Sequence, residues 1–224
     1  MLKSINYAYD FHAVAPPPQT GELGDIRFRS LLSSEEWQEL PMPVRKRFSK
    51  RLAGLATAVY RGEVIHTRMN AVGWVLAQLG RLIGTPLPLS RDAHVPAVVT
   101  VTEDPATGGQ FWSRHYNRHS GFPQVIHSSK RFGGPTGLEE YVGGGVGMAL
   151  NIHAREGALV FTSAYYFLAI GKHRLRLPKW LSPGVLTVTH RAIDDEEFEF
   201  SLSVAHPLFG ELIHQSAVFR DHIH

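Results

Sequence analysis

The sequence predicts an α+β protein: N-terminal helices followed by a long antiparallel β-meander that forms a strongly curved sheet or open barrel. Three observations carry this. Apolar residues recur at helical spacing, with capping signals, mostly between residues 33 and 84. From Val95 onward the pattern changes to alternation with a period of two, in short runs bounded by turn residues. Those runs follow one another with short links and no helical segment between them, which favours antiparallel neighbours over βαβ units.

Residues 1–22 end in APPPQTG and read as an extended, proline-rich arm, leaving 23–224 as a single α+β domain. Ser33-Ser34-Glu35-Glu36 is a capping-box pattern that opens a short helix through Trp37. Pro43 suits the first turn of a helix over VRKRFSKRLAGL, in which Val44, Phe48, Leu52 and Leu55 make one apolar face. AVYRGEVIH reads as a strand. Asn70 is placed to cap a third helix whose stripe, Val72, Val75, Leu76, Leu79, Leu82 and Ile83, is expected to be buried; Gly84 and Pro86 end it. This helix is expected to close part of the sheet.

Strands are then expected at 98–103, 110–118, 122–130, 138–143, 147–155, 158–170, 172–177, 185–191, 197–206 and 211–220. Asp104-Pro105, Gly108-Gly109, Gly133-Gly134-Pro135, Gly157, Gly171, Pro183-Gly184, Asp194-Asp195 and Gly210 separate them. Most alternate cleanly. The segment 159–170 does not: Leu159, Phe161, Tyr165 and Phe167 oppose Val160, Tyr166, Leu168 and Ile170, so both faces are apolar. Such a strand is expected to be central, with a helix on one side and the concave interior on the other. Whether that interior is hollow or packed is left open.

The glycine-rich stretch YVGGGVGMALNIHA, residues 141–154, raises the question of a phosphate-binding loop. A dinucleotide fingerprint needs glycines at relative positions 0, 2 and 5. Gly143 and Gly145 would then require glycine at Met148, and Gly145 and Gly147 would require glycine or alanine at Leu150. Neither frame closes, no Gly-Lys-Ser/Thr follows, and Met148, Leu150 and Ile152 alternate as in a strand. The glycines read as a bend or bulge between two strands.

Composition narrows the class. The chain has 224 residues, a formal charge of +3 and no cysteine, which excludes disulfides, thiolate catalysis and cysteine-ligated metal. The N-terminus lacks the apolar core of a secretory signal, and GALVFTSAYYFLAIG is too short and too polar to span a bilayer. A cytoplasmic location is expected.

Several blocks carry a family resemblance: LPMPVRKRF (40–48), IGTPLPL (83–89), VVTVTEDPATGGQFWSRHY (98–116), SSKRFGGPTGLEEYVGGGVGMALNI (128–152), LRLPKWLSPG (175–184) and FEFSLSVAHPLFGELIHQSAVF (198–219). Together they resemble an uncharacterised family of bacterial domains of unknown function, often found C-terminal to saccharopine-dehydrogenase-like oxidoreductases. The resemblance implies no catalytic residues. It implies a context in which such a domain accompanies a nucleotide-binding dehydrogenase that this chain does not contain.

Candidate sites follow from side-chain chemistry. On a strand, Trp112, Arg114 and Tyr116 share one face, and an arginine between aromatics suits a carboxylate or phosphate head group on an apolar body; a surface arginine stacked on its neighbours fits the same pattern. Tyr165 on the doubly apolar strand is a further lining candidate. His190, His206 and His214 each extend an apolar alternation and would converge if all three faces point inward, either as a reactive cluster or as separate core and rim histidines. His115 and His119, four residues apart on a strand, are about 13 Å apart and cannot share a metal; no metal site is expected. Arg45, Lys46, Arg47, Lys50 and Arg51 offer a cationic face for an anionic surface, or a solvated helix face. Glu139 and Glu140 face opposite ways on a strand and make no facing pair. No nucleic-acid module or nucleophile elbow is present.

The expected function is a cofactor-free, cavity-forming domain that binds an apolar or amphiphilic small molecule and not a nucleotide. The alternatives are an accessory domain docking on a separate NAD(P)-dependent oxidoreductase, and a cofactor-free isomerase or cyclase using a histidine. No transmembrane segment is expected, though weak peripheral membrane contact is compatible with the basic segment.

Overall fold

The alternating segments become strands that close on themselves. The chain is described here by a computed structural model covering residues 24–52, 56–171 and 173–221. The proline-rich arm expected over 1–22 and the apolar position Leu55 lie outside the described residues. The strands are β1 (Thr57–Met69), β2 (Val95–Asp104), β3 (Gly109–Tyr116), β4 (Gln124–Phe132), β5 (Leu138–Gly143), β6 (Val146–Arg155), β7 (Ala158–Ile170), β8 (His173–Arg176), β9 (Val185–Ala192), β10 (Glu197–His206) and β11 (Gly210–Asp221). Each pairs antiparallel with its neighbours, β11 returns to β1, and β7 pairs with both β6 and β9. Ten strands therefore form a closed barrel. β8 stands outside the ring, paired to the far end of β7 over Phe167–Ile170, while β9 takes the near end over Ala158–Thr162.

The curved-barrel expectation holds, but the molecule is mostly antiparallel β. The helix-rich part of the α+β reading needs correcting. Helices are limited to α1 (Ser34–Glu39), α2 (Met42–Phe48) and α3 (Ala71–Leu79), with short 3-10 turns. The basic segment does not continue as a helix to Leu55: α2 stops at Phe48, where Ser49 caps Arg45. Between α2 and α3 runs β1, a 13-residue strand. Among the described residues, no helix is long and apolar enough to cross a membrane.

Strand direction gives the barrel two different ends. At one end the N-terminal segment forms a plug. Ser33 caps α1 with the full reciprocal capping box. Phe28, Trp37, Leu40, Val44 and Phe48 fill the opening, with Phe28 edge-on to Phe48, Phe132 and Phe161 at 4.9–6.2 Å. Asp25 ties the segment down through Arg27 and through its own N–H to the Ser49 carbonyl at 2.6 Å.

The other end, the rim, carries α3 and the 3-10 turn Gly80–Ile83, the 117–123 loop, the Gly143–Val146 turn, the strap 177–184 and the 207–209 turn. Here the glycine-rich stretch forms a two-residue hairpin: Gly144 and Gly145 both have positive φ, the geometry that matches strand twist. Gly143 is fixed as well, since a Cβ there would sit 2.3 Å from the Ile83 carbonyl.

α3 is capped by Asn70, as its sequence predicts. Its apolar stripe is not buried as expected. Gly73 and Ala77 face the barrel because a Cβ at Gly73 would lie 2.0 Å from the Leu212 carbonyl, so the helix packs on its smallest residues. Val72 and Val75 consequently point outward, Leu79 and Leu82 stand exposed at the edge of the barrel mouth, and Leu76 and Ile83 turn into it. β7 also departs from expectation. No helix is needed on its outer side: Tyr141, Arg174 and Arg176 cover Phe167 and Tyr165 there.

Candidate functional site

The barrel interior is hollow toward the rim. A cavity of about 350 Å³ opens between Leu79, Leu82 and Ile83 on one side and Leu177, Leu181 and Pro183 on the other. Its walls are Ile126, Met148, Tyr166, Leu186, Val188, Phe200, Leu202 and Val204, supplied by the inward positions of successive strands. Leu82 and Leu181 both line the cavity and are exposed, which marks the opening. A second, much smaller void of about 30 Å³ lies against the plug, lined in part by Phe48, Trp112, His190 and Phe198. Arg114 and Phe200 line both spaces and form the floor between them.

A charge cluster occupies that floor. Trp112, Arg114 and Tyr116 share the inner face of β3 and are buried, as their spacing predicts. Arg114 is therefore no surface arginine. Its Nη2 donates to Ser128 Oγ at 2.9 Å and to Glu140 Oε1 at 3.1 Å. Lys130, directly across the strands from Glu140, donates to Glu140 Oε2 at 2.8 Å and lies 5.0 Å from the centre of the Trp112 ring. One carboxylate thus serves two buried cations. Burial alone would raise the Glu140 carboxyl, but Lys130 and Arg114 overcome it and hold the group at about 2. Burial pulls Lys130 below the ordinary lysine range, with Glu140 opposing and Arg114 reinforcing that shift. Arg114 Nε has no hydrogen-bond partner among the described residues. The floor carries one net positive charge at the end of an apolar chamber.

Sequence reasoning found one member of this cluster and missed two. Glu139 and Glu140 do face opposite ways: Glu139 is held outside by Arg174 at 2.9 Å and by Tyr141 at 2.9 Å, whereas Glu140 points inward. The available signal was the alternation Ile126-Ser128-Lys130, which puts a lysine on the face of an otherwise inward run. Its significance depends on the register of β4 against β3 and β5, which sets Lys130 opposite Glu140 and which no local pattern encodes.

Tyr165 does not join the cavity. Ala149 pairs with Tyr165 but Leu150 pairs with Ser163, so Ala164 is an extra residue that reverses the parity of β7. Tyr166 faces inward in its place, and Tyr165 stacks outside under Arg176.

The three histidines do not converge. His190 is buried beside the plug, stacked on Phe198 at 4.5 Å and edge-on to Phe48 at 5.1 Å. Burial first, then the neighbouring Arg47, push its pKa down to about 3. His206 lies at the opposite end of β10, six residues beyond the position paired with His190, or about 20 Å along the strand. His214 is on the outer face near Glu211 and His66, because Ile213, Gln215 and Ala217 take the inward positions of β11. Shared proton transfer by these imidazoles is removed. Among the described residues, no three histidine, cysteine or carboxylate side chains are grouped to hold a metal ion.

The cationic segment is likewise divided. Lys46, Lys50 and Arg51 are exposed and Arg45 is half-buried. Arg47 is not part of a solvent face: its guanidinium lies 4.0 Å over the Phe198 ring and 3.4 Å from both His190 and Asp221. It belongs to the plug.

Neither the curated proteins nor the solved structures contain a significant match to the chain. Residues 40–219 match the family described as Domain of unknown function (DUF4166), a span running from the residue after α1 into the last barrel strand, and the chain belongs to that family.

Proposed function

We propose that the barrel binds an amphiphile, with its apolar body in the cavity and an anionic head group at the Arg114 floor. The observation that carries this reading is the combination of an apolar chamber with a buried cluster of two cations and one carboxylate. A volume of about 350 Å³ falls within the range of small-molecule sites. Scaled from benzene in a dry 150 Å³ cavity, it holds about a dozen non-hydrogen atoms. That is the size of a medium-chain carboxylic acid.

The chemistry is consistent at each end. An alkyl chain would replace poor hydration of Leu186, Val188, Leu202 and Val204 with contacts. A carboxylate would supply the second negative charge that Arg114 and Lys130 lack, forming charge-assisted hydrogen bonds in a site of low dielectric. Native mass spectrometry of the full chain, purified without detergent and followed by organic extraction, tests the reading. A stoichiometric acidic amphiphile is the expected result. An empty protein that also fails to take up added medium-chain carboxylate would overturn it.

A further inference from the structure

The rim is apolar where it should be polar. Leu82, Trp180, Phe122 and Leu208 are 80–91% exposed, and Trp74 and Leu79 are also exposed. They come from four separate segments, yet strand direction places all of them at the same end of the barrel. Scattered apolar side chains on a surface need no explanation; a ring of projecting ones around a cavity mouth does.

Charge is sorted in the same way. Among the described residues of the rim segments 70–94, 117–123, 173–184 and 206–209 stand Arg81, Arg91, Arg118, Arg174, Arg176 and Lys179, against Asp92, which pairs with Arg118, while Glu139 of the adjoining strand pairs with Arg174. The described segments at the plugged end, 24–52, 105–108, 133–137, 156–157 and 193–196, are nearly balanced, with eight acidic side chains against seven basic ones. The molecule therefore presents a cationic, apolar-tipped end and an opposite end of nearly balanced charge.

We propose that the rim docks onto an anionic lipid bilayer, with Leu82, Trp180, Phe122 and Leu208 entering the interface and the surrounding cations facing lipid phosphates. Apolar tips among basic side chains are the chemistry of interfacial membrane binding. A second copy of this chain fits less well, because a twofold interface would set this cationic face against itself. Docking is independent of cargo binding, but it places the cavity mouth on the lipid, so an amphiphile enters without crossing water. The membrane-facing surface is the end opposite to Lys46 and Lys50.

Vesicle flotation of the full chain tests this, using phosphatidylcholine vesicles with and without 30% phosphatidylglycerol, about 0.1 M salt being low enough to leave surface charge felt. Binding is expected on the anionic vesicles. Arg81→Gln/Arg176→Gln/Lys179→Gln should lower partitioning by about tenfold or more, given the contribution of each cation near the surface. Leu82→Glu/Trp180→Glu should abolish it while leaving circular dichroism and the melting midpoint near those of the parent. Lys46→Glu/Lys50→Glu should change binding less than about twofold, since its charges lie a barrel length away, beyond the screening distance. Failure of the parent to bind anionic vesicles overturns the proposal. So does equal binding by Leu82→Glu/Trp180→Glu, or loss of binding in Lys46→Glu/Lys50→Glu. Self-association that Leu82→Glu removes, without vesicle binding, would reassign the rim to a protein–protein contact. Loss of flotation with retained amphiphile uptake would leave the cavity reading intact.

Discussion

Replacing Glu140 by glutamine removes the only carboxylate among the described residues that pairs with Arg114 and Lys130 in the barrel floor. The shape barely changes, so the effect isolates charge. At contacts of 3.1 and 2.8 Å, an effective dielectric of 20 gives about 5 kcal/mol of gross attraction per pair. Desolvation offsets much of this, and breaking a buried pair from one side costs about 3–5 kcal/mol net. For a chain of this size that is a fall in melting midpoint of about 6–20 °C. The pH dependence gives a second readout. Without Glu140, Lys130 loses the group that opposes its burial, so its pKa falls further below the unfolded value. A lysine lowered in this way penalises the fold at neutral pH and relents as pH rises toward its unfolded value. Glu140→Gln should therefore recover stability between pH 7 and 10, by about 1.4 kcal/mol per unit at most. Urea unfolding across that range is the assay. A loss under about 1 kcal/mol at pH 7, or no alkaline recovery, would show that the cluster is not the buried, charge-imbalanced site described.

Other predictions follow from single contacts. His190 is neutral when folded, with a pKa of about 3, against about 6.5 unfolded. Its contribution is complete above pH 6.5 and is lost as pH falls toward 3, by about 1.4 kcal/mol per unit; in His190→Phe, chemical unfolding should show a shallower acid slope than in the parent. Gly73→Ala places a methyl 2.0 Å from the Leu212 carbonyl, and should detach or shift α3 at a cost of about 2 kcal/mol or more, read as a lower urea midpoint. Ser33→Ala removes one half of the α1 capping box and should cost about 1 kcal/mol by the same measurement. Leu202→Trp fills the cavity from its wall; amphiphile uptake should disappear while the fold, followed by circular dichroism, is retained.

Much of the barrel was legible because half-buried antiparallel strands declare themselves locally. The expected 138–143, 158–170 and 197–206 coincide with β5, β7 and β10, and the capping residues Ser33 and Asn70 act as their chemistry predicts. What could not be read was parity and long-range pairing. One extra residue, Ala164, exchanged Tyr166 for Tyr165 at the cavity wall. The stripe on α3 looked like a core face because apolarity normally implies burial; the close packing of Gly73 on β11 turned it outward. Arg114 was visible as a candidate, yet its partners come from two further strands, and nothing in its own segment names Lys130 or Glu140.

Isothermal calorimetry comparing decanoate with decanol on the full chain tests the amphiphile reading most directly, since the two share a tail and differ in head-group charge. Decanoate should bind at least tenfold more tightly, and Arg114→Leu should erase that preference by leaving Lys130 and Glu140 as a neutral pair. Equal affinities for the acid and the alcohol, or no binding of either, would contradict it.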